Sequence, residues 1–417
     1  MTTVTLDSIS RIEGHAKILI RYDKGRIEDV ELKVLEDSRF FESILKGHKY
    51  DELPLVASRI CGACSSAHAL AAIKAIEDAF GIEPSDETRM LRELLAVGGL
   101  IQSHVLHLYF FVLPDYTGYR SVMEMAREKR EDIETALRLK RLGHKVVSTI
   151  GGRDVHPVTT VVGGFSKVPT PEQLETLLDD FKACEKDSLY SFELFSSLSY
   201  PHFEHQTSYY ALHDENLLGD SIFSLTDGTL TSFPHDFETY LQKHFQADST
   251  ADFVVSKGKS YSVGPQARLN VCWDLLDEKS KKTLDLQFPM KSPFENLIGQ
   301  AFELASQAKR ARSLIERLLQ KPLSAQPPEE IKPKESTGIG VLEAPRGLLF
   351  HKFAFDRNGH CTYVDIVGPT SQNLQTMEEC LREYLTQNRN LPNDEVISGI
   401  EKLIRAFDPC ISCAVVS

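Results

Sequence analysis

Two short stretches at opposite ends of the chain decide the fold: Arg59-Ile-Cys-Gly-Ala-Cys-Ser-Ser-Ala-His68 and Asp408-Pro-Cys-Ile-Ser-Cys413. Each contains a Cys-x-x-Cys pair, Cys61 with Cys64 and Cys410 with Cys413, and most of the chain lies between them. A Cys-x-x-Cys turn lets two sulfur atoms converge on one metal ion. Two such pairs predict a site of four thiolates, which select soft or borderline metals.

Other uses of the cysteine pairs stay open at this point. A structural zinc ion would take the same four thiolates, but zinc ribbons bring their pairs together over loops of about 15–20 residues. A thioredoxin-like redox pair would follow a strand in a βαβ unit, and neither pair has that context. The long separation favours a site assembled by the whole fold, with zinc as the alternative metal.

Composition and charge narrow the class of protein. The chain has 417 residues, is 41% hydrophobic and carries a formal net charge of −13, which argues against a nucleic-acid surface. No basic segment followed by an apolar run begins the chain, and no stretch of about 18 apolar residues is present. We therefore expect neither a signal peptide nor a membrane segment, and we expect a cytoplasmic location. The cysteines are then expected to serve as thiols or metal ligands.

Hydrophobic patterning predicts a mainly α, α+β fold, with a central bundle of long helices and small β-sheets at its periphery. We expect a single domain over 1–417, with a β segment at 1–36, a helical core at 60–320 and a C-terminal β/α segment at 340–417.

One long helix is predicted from about Ser85 to Leu113, ended by Pro114. His104 and His107 share a face of that helix and are expected to be core or interface histidines and not metal ligands.

Taken together, the motifs resemble the large subunit of nickel–iron hydrogenases over nearly the whole chain. The resemblance rests on both cysteine stretches and on Arg-Ile-Glu-Gly-His (11–15), Gly-Gly-Arg-Asp-Val-His-Pro (151–157), Ala-Pro-Arg-Gly (344–347) and Pro-Thr-Ser-Gln-Asn (369–373). It favours a nickel–iron centre over zinc, and it implies the large-subunit fold and reversible heterolytic cleavage of H2.

The resemblance implies a role for each of the four cysteines. Cys61 and Cys410 would be terminal nickel ligands, while Cys64 and Cys413 would bridge nickel to an iron that carries cyanide and carbon monoxide. Four thiolates make a soft, electron-rich nickel site. The expected cofactor is therefore a Ni–Fe(CN)2(CO) centre.

The same resemblance surrounds that centre with other residues. Arg346 would hold its guanidinium beside the open metal position and a cyanide, where a fixed cationic fork suits polarisation of H2. Asp115 and Asp408 would orient Arg346. Thr370 would donate to a cyanide, and Pro369 would contribute packing. His68 would hydrogen-bond a bridging sulfur.

Glu13 is the expected exit for protons. An isolated glutamate in a turn is ordinarily a solvated carboxylate, but in the Arg-Ile-Glu-Gly-His motif the resemblance implies the proton gate. The proton would pass from H2 to the Cys410 sulfur or to Arg346, and then out through Glu13.

A third metal is also implied near the C-terminus, either Mg²⁺ or Fe²⁺. Its ligands would be Glu42, the backbone carbonyl of Ile366 and a histidine three residues after the last cysteine. Val416 stands at that histidine position here, so water or the terminal carboxylate would have to complete the site.

Partner subunits are expected, because no further cysteine set in this chain could hold an iron–sulfur cluster. The resemblance implies a small subunit with iron–sulfur clusters, docked through a large interface. It also implies flavoprotein or diaphorase-type subunits that pass electrons to NAD(P), coenzyme F420, heterodisulfide or ferredoxin. The loop at 151–157 lacks phosphate-binding spacing, so no nucleotide site is predicted in this chain.

Two alternative functions remain from the sequence. One is a non-catalytic H2 sensor, which would share the whole site and differ in turnover. The other is a subunit related to complex I, whose respiratory members lack the cysteine pairs that are present here.

Overall fold

The computed structural model describes residues 2–6, 9–24, 26–233, 237–246, 249–323 and 331–416. Half of the structure is helical and the strands form small sheets, which confirms the mainly α, α+β prediction.

A three-stranded antiparallel sheet comes first, in the order β1 (Thr2–Leu6), β2 (Ala16–Asp23), β3 (Arg26–Val34). Ile18 and Ile20 of β2 lie opposite Leu32 and Val30 of β3, and all four side chains are buried. Their period of two is that of strands with one face on the core.

Helices dominate the next part of the chain: α1 (Phe41–Leu45), α2 (Leu53–Ala57), α3 (Ser65–Phe80), α4 (Asp86–Val105), α5 (Leu113–Thr117), α6 (Val122–Glu128) and α7 (Arg130–Gly151). Two of these helices have clear stop and start signals. Gly81 ends α3 in the left-handed conformation, with φ 72°, and the Ser85 hydroxyl caps α4 by accepting from the Thr88 N–H at 3.2 Å.

Short strands and helices alternate in the middle: β4 (Thr160–Val161), β5 (Gly164–Phe165), α8 (Pro171–Ala183), α9 (Glu185–Ser196), β6 (Tyr209–Leu212), β7 (Ile222–Thr226), β8 (Thr229–Ser232), β9 (Leu241–Phe245), β10 (Asp252–Ser256), α10 (Pro265–Val271), α11 (Glu278–Leu284) and α12 (Glu295–Leu318). The C-terminal part contains the antiparallel sheet β11 (Ser336–Ala344), β12 (Gly347–Phe355), β13 (Cys361–Val367), followed by α13 (Pro369–Asn388) and α14 (Asn393–Ala406). The main hydrophobic cluster includes residues from Ile9 to Val416, and all four motif cysteines belong to it.

The helix predicted to stop at Pro114 continues past it. A π-helical stretch, Leu106–Val112, follows α4, and Pro114 lies in the first turn of α5, which ends at Gly118. Proline is tolerated in a first turn because its missing N–H would have no intrahelical acceptor there. The widened π-helical turns allow the helix to restart at that point.

Within the described part of the chain, one helical segment, Asp86–Thr117, is long and apolar enough to cross a membrane by length and composition. This differs from the prediction that no stretch of the chain is long and apolar enough to cross a membrane. Inside the fold, 83% of its most apolar window is buried, and α4 packs against α7 and α12. The segment therefore has the surroundings of a core helix.

Close packing of α3 on β11 positions the first cysteine pair. A Cβ atom built on Gly340 would lie 2.1 Å from the Ala71 carbonyl oxygen, and one built on Gly338 would lie 2.1 Å from that of Ala75. Ala71 and Ala75 are one helical turn apart, so small residues line both sides of the contact. The backbones can therefore touch, and this fixes the helix that begins directly after Cys64.

We expect Gly340→Ala to destabilise the protein by about 1–3 kcal/mol, because the added methyl group would overlap the backbone of α3. Denaturant unfolding measures the loss. Gly99→Ala is the matched control, since its Cβ would lie 3.4 Å from Ser66 in the interior of α4, where alanine is favoured. Equal stability of the two variants would contradict this account of the packing.

Candidate metal centre

The first cysteine pair lies where a short turn meets the start of α3. Ser58–Ile60 forms a 3-10 turn, Cys61 is extended with φ −149°, and Cys64 occupies the N-cap position of α3. The chain leaves helical geometry at the N-cap while the helix behind it stays fixed. Both cysteines are buried.

The second pair follows α14 through a tight turn. Asp408 adopts φ 49°, in the left-handed region that residues with a side chain seldom occupy. A 3-10 turn, Ile411–Cys413, comes next, and the Cys413 N–H donates to the Cys410 carbonyl oxygen at 3.2 Å. This turn brings the Cys410 and Cys413 sulfur atoms to 3.0 Å from each other.

The sulfur atoms of both pairs meet in one buried cluster. Cys61 Sγ lies 3.4 Å from Cys410 Sγ, Cys64 Sγ lies 3.1 Å from Cys413 Sγ, and all four atoms lie within 4.8 Å of one another. A disulfide would require about 2.05 Å, and these cysteines are free thiols. The predicted convergence of the two ends of the chain is confirmed.

The electrostatics of the cluster fit a metal centre. Hydrogen bonds from the Cys410 and Cys413 thiols hold the pKa of the Cys61 thiol well below its ordinary value, whereas burial raises the pKa of the Cys410 thiol well above it. Four thiolates this close together in a buried site require cations to balance them. Because sulfur donors suit nickel and iron, the residues present fit a nickel–iron centre.

Arg346 is buried beside the cluster and is held by Asp408. Its Nε donates to the Asp408 carbonyl oxygen at 2.8 Å, and its Nη2 donates to the Asp408 carboxylate at 2.9 Å. Gln300 donates to the other carboxylate oxygen at 2.9 Å, and Ser103 Oγ accepts from Arg346 Nη1 at 3.2 Å. Burial alone would lower the pKa of Arg346, but Asp408 and the cysteine sulfurs raise it well above its ordinary value. The guanidinium is therefore a fixed cation.

Asp115 does not contact Arg346, so that part of the prediction is wrong. Its carboxylate pairs with Arg405 Nη1 at 2.7 Å and with Arg11. Arg405 is 1% exposed and also donates to the Ser10 carbonyl oxygen at 3.0 Å. Because α5 follows the π-helical stretch, Asp115 faces α14 and the N-terminal loop. It ties these segments together just before the second cysteine pair.

A buried ion network, which the sequence analysis did not identify, holds the loop of Arg346. Arg268 donates to the Pro345 carbonyl oxygen at 3.1 Å and pairs with Glu303 at 2.5 Å and with Glu343 at 2.7 Å. Burial would raise the pKa of Glu303, but the charge of Arg268 lowers it to about 2. These partners are 35 and 75 residues from Arg268 in sequence, so no local spacing could reveal the network.

His104 and His107 are core histidines, as expected. His104 Nε2 lies 2.7 Å from a Glu303 carboxylate oxygen. His107 Nε2 donates to the Arg405 carbonyl oxygen at 2.8 Å, and its Nδ1 lies 2.6 Å from Gln300 Oε1. Burial lowers the pKa of both rings.

His68 links the cluster to a second histidine that sequence reasoning missed. His68 Nε2 lies 3.4 Å from Cys413 Sγ, and its Nδ1 lies 3.0 Å from His351 Nε2. Burial lowers the pKa of His68 to about 4 and that of His351 well below its ordinary value, so both rings are neutral. If His68 Nε2–H donates to sulfur, His351 Nε2–H donates to His68, and His351 Nδ1 carries no proton. That nitrogen is the ring atom with no described partner.

The first turn of α13 lies against the Cys410 backbone. Gly368 is its N-cap, Pro369 occupies the first helical position, and both Pro369 and Thr370 are buried. Thr370 Oγ1 accepts from the Cys410 N–H at 2.9 Å, which leaves the hydroxyl hydrogen to donate elsewhere. Pro369 fits the first position because it has no N–H to satisfy.

Glu13 packs directly against the second cysteine turn. It forms a parallel bridge with Cys410, and its carbonyl oxygen accepts from the Ile411 N–H at 3.0 Å. Its carboxylate accepts from the Ser412 N–H at 3.1 Å and from the Ser412 hydroxyl at 2.6 Å. Gly14 has φ 83°, and a Cβ there would lie 2.6 Å from Ile411, so glycine permits this close approach. Glu13 is a bound residue and not a solvated turn carboxylate.

The residues expected to bind a third metal do not fit a divalent ion. Glu42 Oε1 accepts from the Ile366 N–H at 2.9 Å and from the Lys243 ammonium at 3.0 Å. Val416 is buried and offers no side-chain donor, and the terminal carboxylate lies outside the described residues. Mg²⁺ requires near-octahedral oxygen ligands at about 2.1 Å. The Glu42 carboxylate is instead paired with an ammonium group.

Comparison with protein families gives two matches. The model described as nickel-dependent hydrogenase matches residues 39–136 and 243–416, and a model described as HoxL-like matches residues 3–36. The sulfhydrogenase 1 alpha chain of Pyrococcus furiosus is 35% identical over 99% of this chain and 97% of its own length. The matching component of the F420-non-reducing hydrogenase vhu of Methanocaldococcus jannaschii is 30% identical over 92% of this chain and 98% of its own length.

Solved structures give the same picture. A crystal structure of an NAD+-reducing nickel–iron hydrogenase in the H2-reduced state superposes with a TM-score of 0.90 at 25% identity, over 100% of this chain and 99% of that one. The reduced, active nickel–iron–selenium hydrogenase of Desulfomicrobium baculatum shares the fold, with a TM-score of 0.80 at 22% identity over 99% and 100% of the two chains.

Proposed function

This chain belongs to the nickel-dependent hydrogenase family as a large, catalytic subunit, and from that premise we propose how its own residues hold the nickel–iron centre and move protons. The enzyme is a hydrogenase, which interconverts H2 with two protons and two electrons. The observation that carries the proposal is the cluster of four buried sulfur atoms, all within 4.8 Å of one another.

Each cysteine would have a distinct place at the centre. All four cysteines would hold the centre, Cys61 and Cys410 as ligands of nickel alone and Cys64 and Cys413 as ligands shared by nickel and iron. When bound, the centre supplies the Lewis acidity that polarises H2 and takes up its two electrons. His68, 3.4 Å from Cys413 Sγ, orients that sulfur and moderates its negative charge.

Two groups on either side of Pro409 suit the two anionic cyanides that we propose for the iron, which would also carry one neutral carbon monoxide. Arg346 binds the Asp408 carbonyl oxygen, and Thr370 binds the Cys410 N–H. A guanidinium, a hydroxyl hydrogen and the N–H groups of a helix first turn all favour negative charge. They would hold the cyanides and keep water from the site.

Heterolytic cleavage then requires a base, and Cys410 Sγ is the best candidate among the described groups. Arg346 is paired with Asp408 and keeps its own proton, so it acts as a fixed cation that orients the reactants. Cys410 Sγ would take up one proton of H2 and pass it to Glu13, whose backbone pairs with Cys410. The second proton would follow by the same route as the two electrons leave to the partner subunit.

Electrons would leave through partner subunits. The relatives are subunits of multisubunit hydrogenases, so a small subunit is implied. We propose that it carries iron–sulfur clusters and passes electrons through a flavoprotein to a soluble acceptor such as NAD(P) or ferredoxin, since an NAD+-reducing enzyme superposes over the whole chain. The same relatives are the basis for proposing a cytoplasmic enzyme, and the continuous hydrophobic cluster supports one domain over 1–417.

The purified enzyme is expected to contain one nickel for each copy of this chain and to show infrared bands from iron-bound cyanide and carbon monoxide. Zinc as the metal at the cluster would contradict the proposal. The full set of bands without H2-dependent turnover would indicate a sensor. Metal analysis and infrared spectroscopy on one preparation distinguish these results.

A further inference from the structure

An ion cluster next to the C-terminal segment contains one lysine and three carboxylates. Lys243 Nζ lies 2.5 Å from an Asp365 carboxylate oxygen, 3.0 Å from Glu42 Oε1 and 3.7 Å from Asp252 Oδ2. Asp252 is 2% exposed and Asp365 is 30% exposed, with Glu42 and Lys243 between these values, so the cluster is partly shielded from water. The three carboxylates come from α1, β10 and β13, and Lys243 on β9 lies between them.

The same elements hold the segment that follows the last cysteine. The Glu42 N–H donates to the Val416 carbonyl oxygen at 3.1 Å, and the Asp252 N–H donates to the Ala414 carbonyl oxygen at 3.2 Å. Two of the carboxylate residues therefore bind the chain directly after Cys413 through their backbones. Repulsion between their side chains would push apart the elements on which that segment rests.

We infer that the Lys243 ammonium is the resident cation of this site and takes the place that Mg²⁺ or Fe²⁺ would occupy in a site built from Glu42, Ile366 and a histidine. Lys243 is attached to the chain, so the site needs no metal loading. Its ammonium lies within hydrogen-bond distance of Asp365 and Glu42 and within ion-pair distance of Asp252. Val416, at the position of the histidine, fits a site without a metal, because its buried apolar side chain cannot coordinate one.

The charge of Lys243 is well supported by its surroundings. Burial alone would lower its pKa, but Asp365 and Glu42 raise it above the ordinary value. The Ile366 N–H adds a further donor to Glu42 at 2.9 Å. Lys243 is a positioning residue in this account: it acts on the centre only through the segment that carries Cys413.

The test compares Lys243→Gln with Lys182→Gln, a control that removes the same charge from an exposed pair with Asp179. The intact protein is expected to contain nickel and iron without a third metal, and its thermal midpoint should not move when EDTA or magnesium is added. Lys243→Gln removes the positive charge that lies among three carboxylates. Its midpoint should fall by several degrees relative to the control and should recover in millimolar Mg²⁺ or Mn²⁺. Lys243→Arg keeps the charge and should need no metal even if the glutamine variant fails to fold.

A stoichiometric Mg²⁺ or extra iron in the intact protein, lost to EDTA with a fall in midpoint, would overturn the inference. So would a Lys243→Gln midpoint equal to that of the Lys182→Gln control. Since the readout is thermal stability with and without added cation, it is separate from the presence of nickel. Loss of the hydrogenase proposal and loss of this one are therefore distinguishable.

Discussion

Cys410→Ser is expected to produce a folded chain that retains no nickel and shows no H2-dependent activity. Cys410 is fully buried, and its Sγ lies 3.0 Å from Cys413 Sγ and 3.4 Å from Cys61 Sγ. Serine fills nearly the same volume, so the fold should survive. Its hydroxyl is a hard donor that does not ionise in this setting, and nickel in a thiolate site requires soft sulfur. The proposed proton acceptor is lost with the ligand.

Activity should fall by at least about 10³-fold, because residues that act as a unit lose most of their effect together. Cys380→Ser is the matched control, since Cys380 is a buried free thiol on α13 outside the four-sulfur cluster. It should keep its nickel. Nickel per folded chain is the decisive measurement, with circular dichroism to confirm folding. A Cys410→Ser protein with its full complement of nickel would remove this residue from the ligand set.

The four sulfur atoms could be predicted from sequence because the information is local and repeated. The spacing of a Cys-x-x-Cys turn by itself predicts metal binding. The residues that flank both turns independently support that prediction. Helix caps such as Ser85 and Gly81 could likewise be recognised from adjacent residues. Local signals of this kind depend on chemistry within one turn of backbone.

Charge pairing could not be predicted in the same way. Asp115 lies 290 residues before its partner Arg405, so only the folded chain shows that this carboxylate is already taken. The ion pairs of Lys243 could not be predicted either, because the local sequence of a single lysine on a strand indicates a solvated charge. Only the folded chain places Glu42 and Asp365 beside it. Each carboxylate could in principle pair with many lysine or arginine side chains of the chain. The tertiary structure determines which of them becomes its partner.

The buried histidine His351 illustrates a further limit. It lies on β12 among apolar residues, which is the pattern of an ordinary core strand. Its importance comes from His68, on the other side of the contact between α3 and this sheet. A residue that acts through another residue leaves no spacing in its own neighbourhood.

Glu13→Gln is expected to leave nickel and iron in place. It should slow the enzyme-catalysed exchange of D2 with solvent protons by about 10²-fold or more, the usual contribution of a positioned acid–base group. Glutamine has the same shape: its amide oxygen can accept from the Ser412 N–H, which lies 3.1 Å from Glu13 Oε2, and the Ser412 hydroxyl can rotate to accept from its NH2 group. The cysteine turn should therefore stay in position. An amide does not take up and release protons near neutral pH, so a proton that arrives from Cys410 has no acceptor.

Glu401→Gln, which removes a partly exposed carboxylate paired with Arg405, is the control and should exchange at the normal rate. If a fully metallated Glu13→Gln enzyme exchanged as fast as this control, the proton would have to leave by a route that avoids Glu13.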